Sequence, residues 1–276
     1  MQNSTTIGFI GAGNMAYALI SGLVNNGFNA KNIKLSDTDA TLLSLRADEF
    51  NLEVFTDNIE LAAQCDVIVF AVKPQVLSIV CKQLQTHIDH KPLMISIAAG
   101  VRATDINRWL GGNTAIVRTM PNPPALLGKG ATGMTANEAV SNEQKALAER
   151  ILGAVSECLW VEDEKMLDVV TALSGSGPAY FFLMIESMTK AGVALGLDEK
   201  TAEQLSIQTA LGASMMASNS EDSAHELRAK VTSPNGTTQA AIESFQDQNF
   251  EMLVSHAMRA AFDRAREMGV ELGDDD

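Results

Sequence analysis

The chain has 276 residues, enough to bury the core of one large domain or two medium ones. Hydrophobic residues make up 46 % and charged residues 20 %, a composition that excludes a largely disordered chain. The net charge of −14 argues against nucleic acid as a partner, because the phosphates would be repelled. An anionic small molecule is not excluded, because a local site can be positive.

Three widely spaced cysteines, Cys65, Cys81 and Cys158, form no CxxC motif. This pattern argues against a disulfide framework or a metal site, and we expect three small apolar residues in or near the core, in a reducing cytoplasm. The longest apolar stretch, from Phe181 to Leu195, is interrupted by two charged residues. It is therefore expected to be too short and too polar to span a membrane.

Up to about residue 160 the chain alternates short apolar strands with helices. Asp39 is expected to cap one helix, and Ser141 with Gln144 has the spacing of a capping box. The alternation predicts a doubly wound sheet with right-handed crossovers. The predicted strands are 6–10, 33–35, 67–72, 93–98, 115–119 and 158–161, and the predicted helices are 14–25, 39–50 and 141–155.

After about residue 165 the strand pattern stops. Helices are predicted near 166–173, 178–195, 199–218, 223–230, 238–246 and 250–268, with breaks at Gly and Pro. The expected fold is α/β then all-α, with a dinucleotide-binding Rossmann domain over 1–163 and a helical domain over 164–276. The helix over 178–195 is apolar nearly all round, so it needs cover on most sides, and we expect an obligate oligomer.

A glycine motif, GxGxxA, begins at Gly11, directly after the first strand and before the first helix. Glycines let the backbone turn tightly and approach a pyrophosphate, while the helix N-terminus offers N–H groups to that anion. The alternative is a glycine-rich turn without a ligand. Asp37 ends the second strand, where an acidic residue can accept the adenosine ribose hydroxyls. The alternative for Asp37 is a solvated turn residue that caps the next helix.

Two further loops follow predicted strands, where ligands lie in open α/β sheets. Lys73 follows the most apolar strand and is a candidate neighbour of the cofactor; its alternative is a solvated surface lysine. The loop from Arg118 to Pro124 contains three prolines and is expected to be stiff. Its function cannot be read from these residues alone.

Two polar segments open helices in the second half of the chain. Ser174 to Tyr180 precedes the apolar helix, with Pro178 at a favourable first position. Val231 to Thr238 offers hydroxyls and the N–H groups of Asn235 to Thr238, which predicts a nest for a carboxylate. The alternative for both segments is ordinary helix capping. No HExxH motif, nucleophile elbow or carboxylate pair occurs, and hydride transfer to a protonated C=N bond needs none of them.

Six segments together resemble the pyrroline-5-carboxylate reductase family: GFIGAGNMA, AVKPQ, SIAAGV, VRTMPNPPAL, ALSGSGPAYFF and TSPNGTT. They occur in the family's order and cover about residues 7 to 268. The resemblance implies a Rossmann-type domain of the 6-phosphogluconate dehydrogenase kind and a helical dimerisation domain. It implies reduction of L-1-pyrroline-5-carboxylate to L-proline with NADPH or NADH, in a homodimer for which further assembly into a decamer stays open.

The resemblance also assigns roles to residues. The implied cofactor-binding residues are Gly11, Gly13, Asn14 and Met15 at the pyrophosphate, Ser36 and Asn58 at the adenosine ribose, and Ala71, Lys73, Pro74, Ala98, Met120 and Asn122 on the nicotinamide side. The implied substrate-binding residues are Ser233, Gly236, Thr237 and Thr238, around the substrate carboxylate and ring nitrogen. Thr238 is the residue that we expect to be catalytic.

Three positions depart from the family pattern. Asn235 stands where many members have glycine, and asparagine tolerates the left-handed backbone. Pro123 replaces the threonine of the usual MPNTP loop, and Asp37 is unusual for an enzyme that prefers NADPH. A β-hydroxyacid dehydrogenase, the nearest rival, would need a lysine where this chain has Phe181. A non-catalytic NAD(P)-binding sensor would need the Rossmann half but not the TSPNGTT segment.

Overall fold

The computed structural model describes residues 5–274. The chain divides into two compact units. The first consists of two segments, one that ends at Ser176 and one that begins at Ala261, and the second is Gly177–Ala260. The two units are defined by which residues pack together. The domain boundary that the sequence predicts, between residues 163 and 164, stays a prediction. An α/β unit and a helical unit are present, as the sequence predicts.

The first unit is built on an eight-stranded sheet with the order β3-β2-β1-β4-β5-β6-β7-β8. Every neighbouring pair is parallel except β6 and β7, which are antiparallel. The strands are β1 (Ile7–Ile10), β2 (Ile33–Ser36), β3 (Glu53–Phe55), β4 (Val67–Phe70), β5 (Leu93–Ser96), β6 (Ile116–Met120), β7 (Gly130–Ala136) and β8 (Ser156–Trp160). The sequence had not predicted β3 or β7.

Helices cover both faces of the sheet. They are α1 (Asn14–Asn25), α2 (Ala40–Phe50), α3 (Asn58–Ala62), α4 (Pro74–Leu84), α5 (Ala103–Trp109), α6 (Asn142–Leu152) and α7 (Met166–Val170), with short 3₁₀ helices at Ala30–Asn32 and Pro123–Leu127. The predicted cap at Asp39 and the predicted capping box at Ser141 are both confirmed.

Two apolar cores lie on opposite faces of the sheet, because successive side chains of a strand alternate between faces. In β4, Val67 and Val69 pack with α1, α2 and α6, whereas Ile68 and Phe70 pack with α3, α4 and α5. Two of the cysteines are buried in or beside these cores, as expected, and Cys158 is half-buried. Burial raises the pKa of the Cys65 and Cys81 thiols to about 12, so both are protonated at neutral pH.

The second unit is helical. It contains α8 (Gly177–Ala194), α9 (Glu199–Ser218), α10 (Ala224–Lys230), α11 (Thr237–Asp247) and the first half of α12 (Phe250–Glu271), which ends in the first unit. The apolar helix α8 is exposed in the single chain, with Phe181 at 62 %, Phe182 at 67 % and Leu183 at 63 % of full exposure. Large apolar side chains exposed together in this way are typical of an interaction surface.

A π-helical segment, Thr171–Gly175, lies between α7 and α8. Among residues 5–274, the run Met166–Ala194 is long and apolar enough to cross a membrane by length and composition, and 11 % of its apolar window is buried. The sequence had predicted a shorter, more polar stretch, because the π-helical segment was not foreseen. A run of this kind is not specific to membrane proteins, because a helix covered by other protein surface can have the same length and composition.

Candidate functional site

The glycine-rich loop joins β1 to α1 and passes close to the end of β4. Gly11 has φ +104°, and a Cβ on this residue would lie 2.6 Å from the Ala71 carbonyl oxygen. Only glycine fits at this position without strain. The Gly11 N–H donates to the Ser36 carbonyl at 2.7 Å, which fixes the loop against β2 as well.

The N-terminus of α1 is open on its outer side. Gly13 is the N-cap residue, no side chain caps the helix, and a Cβ on Gly13 would meet no atom within 4 Å. The amide groups of the first turn, at Asn14 and Met15, therefore stand beside open space with the partial positive charge of a helix N-terminus. This arrangement fits the pyrophosphate of a dinucleotide cofactor.

The end of β2 carries the residues predicted to lie at the adenosine ribose. The buried Ser36 hydroxyl donates to Asn58 Oδ1 at 2.7 Å, so the structure brings these two predicted residues together. The Asp37 carboxylate accepts from the Ala12 N–H at 2.7 Å and from the Asp39 N–H at 2.9 Å. Asp37 is thus bound to the glycine-rich loop, a contact that neither of the two sequence interpretations included.

The strands β4, β5 and β6 are neighbours, and the loops at their carboxyl ends carry the residues predicted for the nicotinamide side. These residues are Ala71, Lys73 and Pro74 after β4, Ala98 after β5, and Met120 with Asn122 at the end of β6. Lys73 is exposed and Ala98 is buried. The order of the strands therefore places all six residues along one edge of the sheet, next to the glycine-rich loop.

The side chain of Asn122 is fully engaged within the protein. Its amide nitrogen donates to the Ser174 carbonyl at 2.9 Å, and its Oδ1 accepts from the Ala131 N–H at 2.8 Å. The residue is 6 % exposed. In this arrangement the side chain of Asn122 holds the loop after β6 against the π-helical segment and β7.

The Thr232–Gly236 loop precedes α11 in the helical unit. Asn235 has φ +57°, the left-handed conformation that the sequence analysis expected an asparagine to accept. The prediction of free N–H groups from Asn235 onwards was wrong for two residues. The Asn235 N–H donates to Gln239 Oε1 at 2.7 Å, and the Gly236 N–H donates to the Ser233 carbonyl at 3.0 Å.

The start of α11 nevertheless keeps the character of an anion site. Gly236 is its N-cap residue and has no side chain with which to cap the helix. Within residues 5–274, no hydrogen bond is found for the hydroxyls of Ser233, Thr237 and Thr238. Helix N-termini without such a cap leave first-turn amide groups for a ligand. The predicted substrate residues thus come together in one turn of the chain.

The doubly wound sheet and its glycine-rich loop define a class, the nicotinamide-dependent oxidoreductases with a Rossmann-type domain. Two family models match, "NADP oxidoreductase coenzyme F420-dependent" over residues 6–100 and "Pyrroline-5-carboxylate reductase dimerisation" over residues 164–268. A pyrroline-5-carboxylate reductase of Pseudomonas aeruginosa is 49 % identical over 272 residues, which are 99 % of this chain and 100 % of the relative. The chain belongs to the pyrroline-5-carboxylate reductase family.

Solved structures give the same result. The pyrroline-5-carboxylate reductase of Coxiella burnetii superposes with a TM-score of 0.93 at 42 % identity, over 96 % of this chain and 98 % of that one. The pyrroline carboxylate reductase of Plasmodium falciparum, solved with NADP bound, superposes with a TM-score of 0.85 at 30 % identity, over 98 % of this chain and 100 % of that one.

Proposed function

We propose that this chain reduces the C=N bond of L-1-pyrroline-5-carboxylate to give L-proline, the final step of proline biosynthesis, with NADPH or NADH. The observation that carries the proposal is the full-length likeness to reductases of this activity, which extends over both units. A β-hydroxyacid dehydrogenase is disfavoured, because the position of its lysine is taken by Phe181. A sensor without catalysis is disfavoured, because such a protein would not need a substrate site at the uncapped N-terminus of α11.

The cofactor is held along the carboxyl edge of the sheet. In this proposal the open N-terminus of α1 binds the pyrophosphate through the amide groups at Gly13, Asn14 and Met15. The Ser36–Asn58 pair and Asp37 lie at the adenosine ribose, and the ends of β4, β5 and β6 line the nicotinamide side. The bound NADPH or NADH supplies the hydride.

The substrate carboxylate is bound by the N-terminus of α11. The first-turn amide groups and the hydroxyls of Ser233, Thr237 and Thr238 donate hydrogen bonds to the carboxylate. The protonated ring nitrogen donates in turn to the hydroxyl oxygen of Thr238. No strong base is required, because a protonated C=N bond is already electrophilic. These residues position the substrate against the cofactor and exclude water. In a reaction between two bound molecules, such positioning can account for much of the rate acceleration.

The active form is a homo-oligomer, in which a second copy covers the exposed apolar face of α8. The same unit contains a cavity of about 770 Å³, and most of its lining residues are apolar, including Met184, Met188 and Phe245. Its position within the dimerisation region fits a homodimer, and assembly into a decamer is compatible with it. A cytoplasmic protein without a membrane or nucleic-acid partner fits the net charge of −14.

A pair of glycine variants tests the cofactor site. In Gly13→Ala the added methyl meets no protein atom, so we expect the unfolding temperature of wild type and at least about tenfold weaker NADPH binding, because the methyl occupies space beside the pyrophosphate. In Gly11→Ala the methyl collides with the Ala71 carbonyl, so both stability and binding should fall. NADPH binding of wild-type strength in Gly13→Ala, measured by titration of nicotinamide fluorescence, would place the cofactor elsewhere.

A further inference from the structure

A polar cavity lies in the first unit, and none of its lining residues belongs to the glycine-rich loop. It has a volume of about 430 Å³ and is formed by the start of α5, the segment before and within α7, and the last turns of α12. Its charged lining residues are Arg102, Arg118, Lys165 and Arg266, with Asp163, Glu164 and Asp168. Four cationic and three anionic side chains thus give a positive surplus in a chain whose net charge is −14.

At the floor of this cavity, the positive charge of Arg118 is balanced by two carboxylates. The buried Arg118 guanidinium lies 2.9 Å from Glu164 Oε1 and 3.8 Å from Asp168 Oδ1. Glu164 Oε1 also accepts from the Ala103 N–H at 2.7 Å. These contacts leave Arg118 with two carboxylates and leave Glu164 committed to Arg118 and to α5.

Two further guanidinium groups converge on the same cavity. A Cβ on Gly269 would lie 3.3 Å from Arg102 Nε, so the Arg102 side chain crosses α12 where that helix has no side chain. Arg266 precedes Gly269 by three residues, which is nearly one turn, and so lies on the same face of α12. Both residues line the same cavity, both act electrostatically on Asp168, and both are exposed, so their guanidinium groups approach the same space at the cavity mouth.

Asp168 is the carboxylate that these cations share. Burial raises its pKa above the ordinary value, while Arg118, then Arg102, and more weakly Arg266 lower it. One partly buried carboxylate close to Arg118 cannot also pair with two arginines at the mouth. Among residues 5–274, no salt bridge joins Arg102 or Arg266 to a carboxylate, and Asp163, the remaining acidic residue of the lining, accepts from the Lys165 N–H. Two neighbouring guanidiniums repel each other, and an anion between them relieves that repulsion.

We propose that this cavity is a binding site for a small oxyanion, a carboxylate or a phosphate group, held between Arg102 and Arg266. Arginine presents paired N–H donors that match both kinds of group. The ligand bridges the loop before α5 and the C-terminal turns of α12. This site shares no lining residue with the cofactor loop or with the turn before α11, and it requires neither of them to be occupied.

The test uses inorganic phosphate and malonate as probes of the full-length chain. Each is titrated in thermal unfolding and in calorimetry, against sodium chloride at the same ionic strength. We expect phosphate, malonate or both to raise the unfolding temperature of wild type and to bind with saturation. Phosphate alone would identify the ligand as a phosphate group, and malonate alone would identify it as a carboxylate.

Matched charge variants locate the bound anion. Arg102→Gln and Arg266→Gln should each weaken binding at least about tenfold, the loss expected for one hydrogen bond to a charged group. Arg150→Gln removes the same charge from an exposed position in α6 outside this cavity and should bind as wild type does. An anion at the glycine-rich loop would bind equally to all three variants. That result, or no saturable binding to wild type, would overturn the proposal.

Discussion

Asp37 is the residue whose substitution tests the cofactor site in most detail. Its carboxylate lies at the end of β2, 2.7 Å from the Ala12 amide nitrogen, and so beside the loop that we propose for the pyrophosphate. A 2′-phosphate placed about 4 Å from this carboxylate would be repelled by about 4 kcal/mol at an effective dielectric constant of 20, an upper limit before solvent relaxes. NADH has no such phosphate, and its ribose hydroxyls can donate to the carboxylate.

Among the described residues 5–274, no salt bridge joins Asp37 to an arginine. The closest in sequence, Arg46, lies 4.1 Å above the Tyr17 ring and pairs with Glu49 at 3.2 Å. We therefore expect both cofactors to be used, with NADH less disfavoured than in enzymes without this carboxylate. Asp37→Ser should shift the ratio of kcat/KM toward NADPH by about tenfold or more, which corresponds to about 1.4 kcal/mol.

The assay is the ratio of kcat/KM for NADPH and NADH, measured on wild type and variant at one substrate concentration. Absolute rates should also fall in Asp37→Ser, because the Ala12 and Asp39 amide groups lose their shared carboxylate. Asp39→Ser is the control, since it removes a charge two residues away and serine can still cap α2. An unmoved ratio in Asp37→Ser would refute the placement of the ribose beside this carboxylate.

The remaining predictions concern the substrate loop and the oligomer. Thr238→Ala should lower kcat/KM for the substrate at least about tenfold, with little change in cofactor binding. Thr232→Ala is the control and should leave kcat/KM unchanged, because the Thr232 hydroxyl donates to the Arg228 carbonyl at 2.6 Å. Wild-type kinetics in Thr238→Ala would show that its hydroxyl does not touch the substrate. Light scattering at assay concentration should give a multiple of the 29.5 kDa chain mass, and an active species near 29.5 kDa would contradict the need for a second copy over α8.

Much of the fold could be predicted because its signals are local. The VIVF run of β4 is apolar at every position, as a strand covered on both faces requires, and the α-helical half is punctuated by glycine and proline. The two missed strands lack such signals. β3 has three residues at the sheet edge, and β7 has the sequence GATGMTA, in which small residues replace the usual β-branched pattern.

The candidate site could be predicted in its positions but not in its contacts. A glycine motif after a strand indicates where a dinucleotide binds, and the structure has the expected left-handed Gly11 there. The bond from Asn122 to the Ser174 carbonyl joins residues 52 positions apart, and the bond from Ala12 to Asp37 spans 25. Such hydrogen bonds depend on tertiary packing, so no local sequence pattern predicts them.

The π-helical segment was missed for a similar reason, because it too depends on tertiary packing. Thr171–Gly175 has the sequence TALSG, and the glycines and proline that follow Leu173 predicted a helix that ends there, with a break at Gly175, rather than a wider helical turn. In the structure the segment lies beside Met120, where a Cβ on Gly175 would come within 2.5 Å of the Met120 methyl carbon. The segment therefore packs against the flexible Met120 side chain at the end of β6.

The central claim is tested most directly by following the product together with the cofactor. Purified full-length chain is mixed with L-1-pyrroline-5-carboxylate and NADPH, and in parallel with NADH, and L-proline is quantified by chiral amino-acid analysis while cofactor oxidation is recorded. The account predicts L-proline in equal amount to the cofactor oxidised, with at least one of the two cofactors. Folded, oligomeric protein that forms no proline with either cofactor would contradict it.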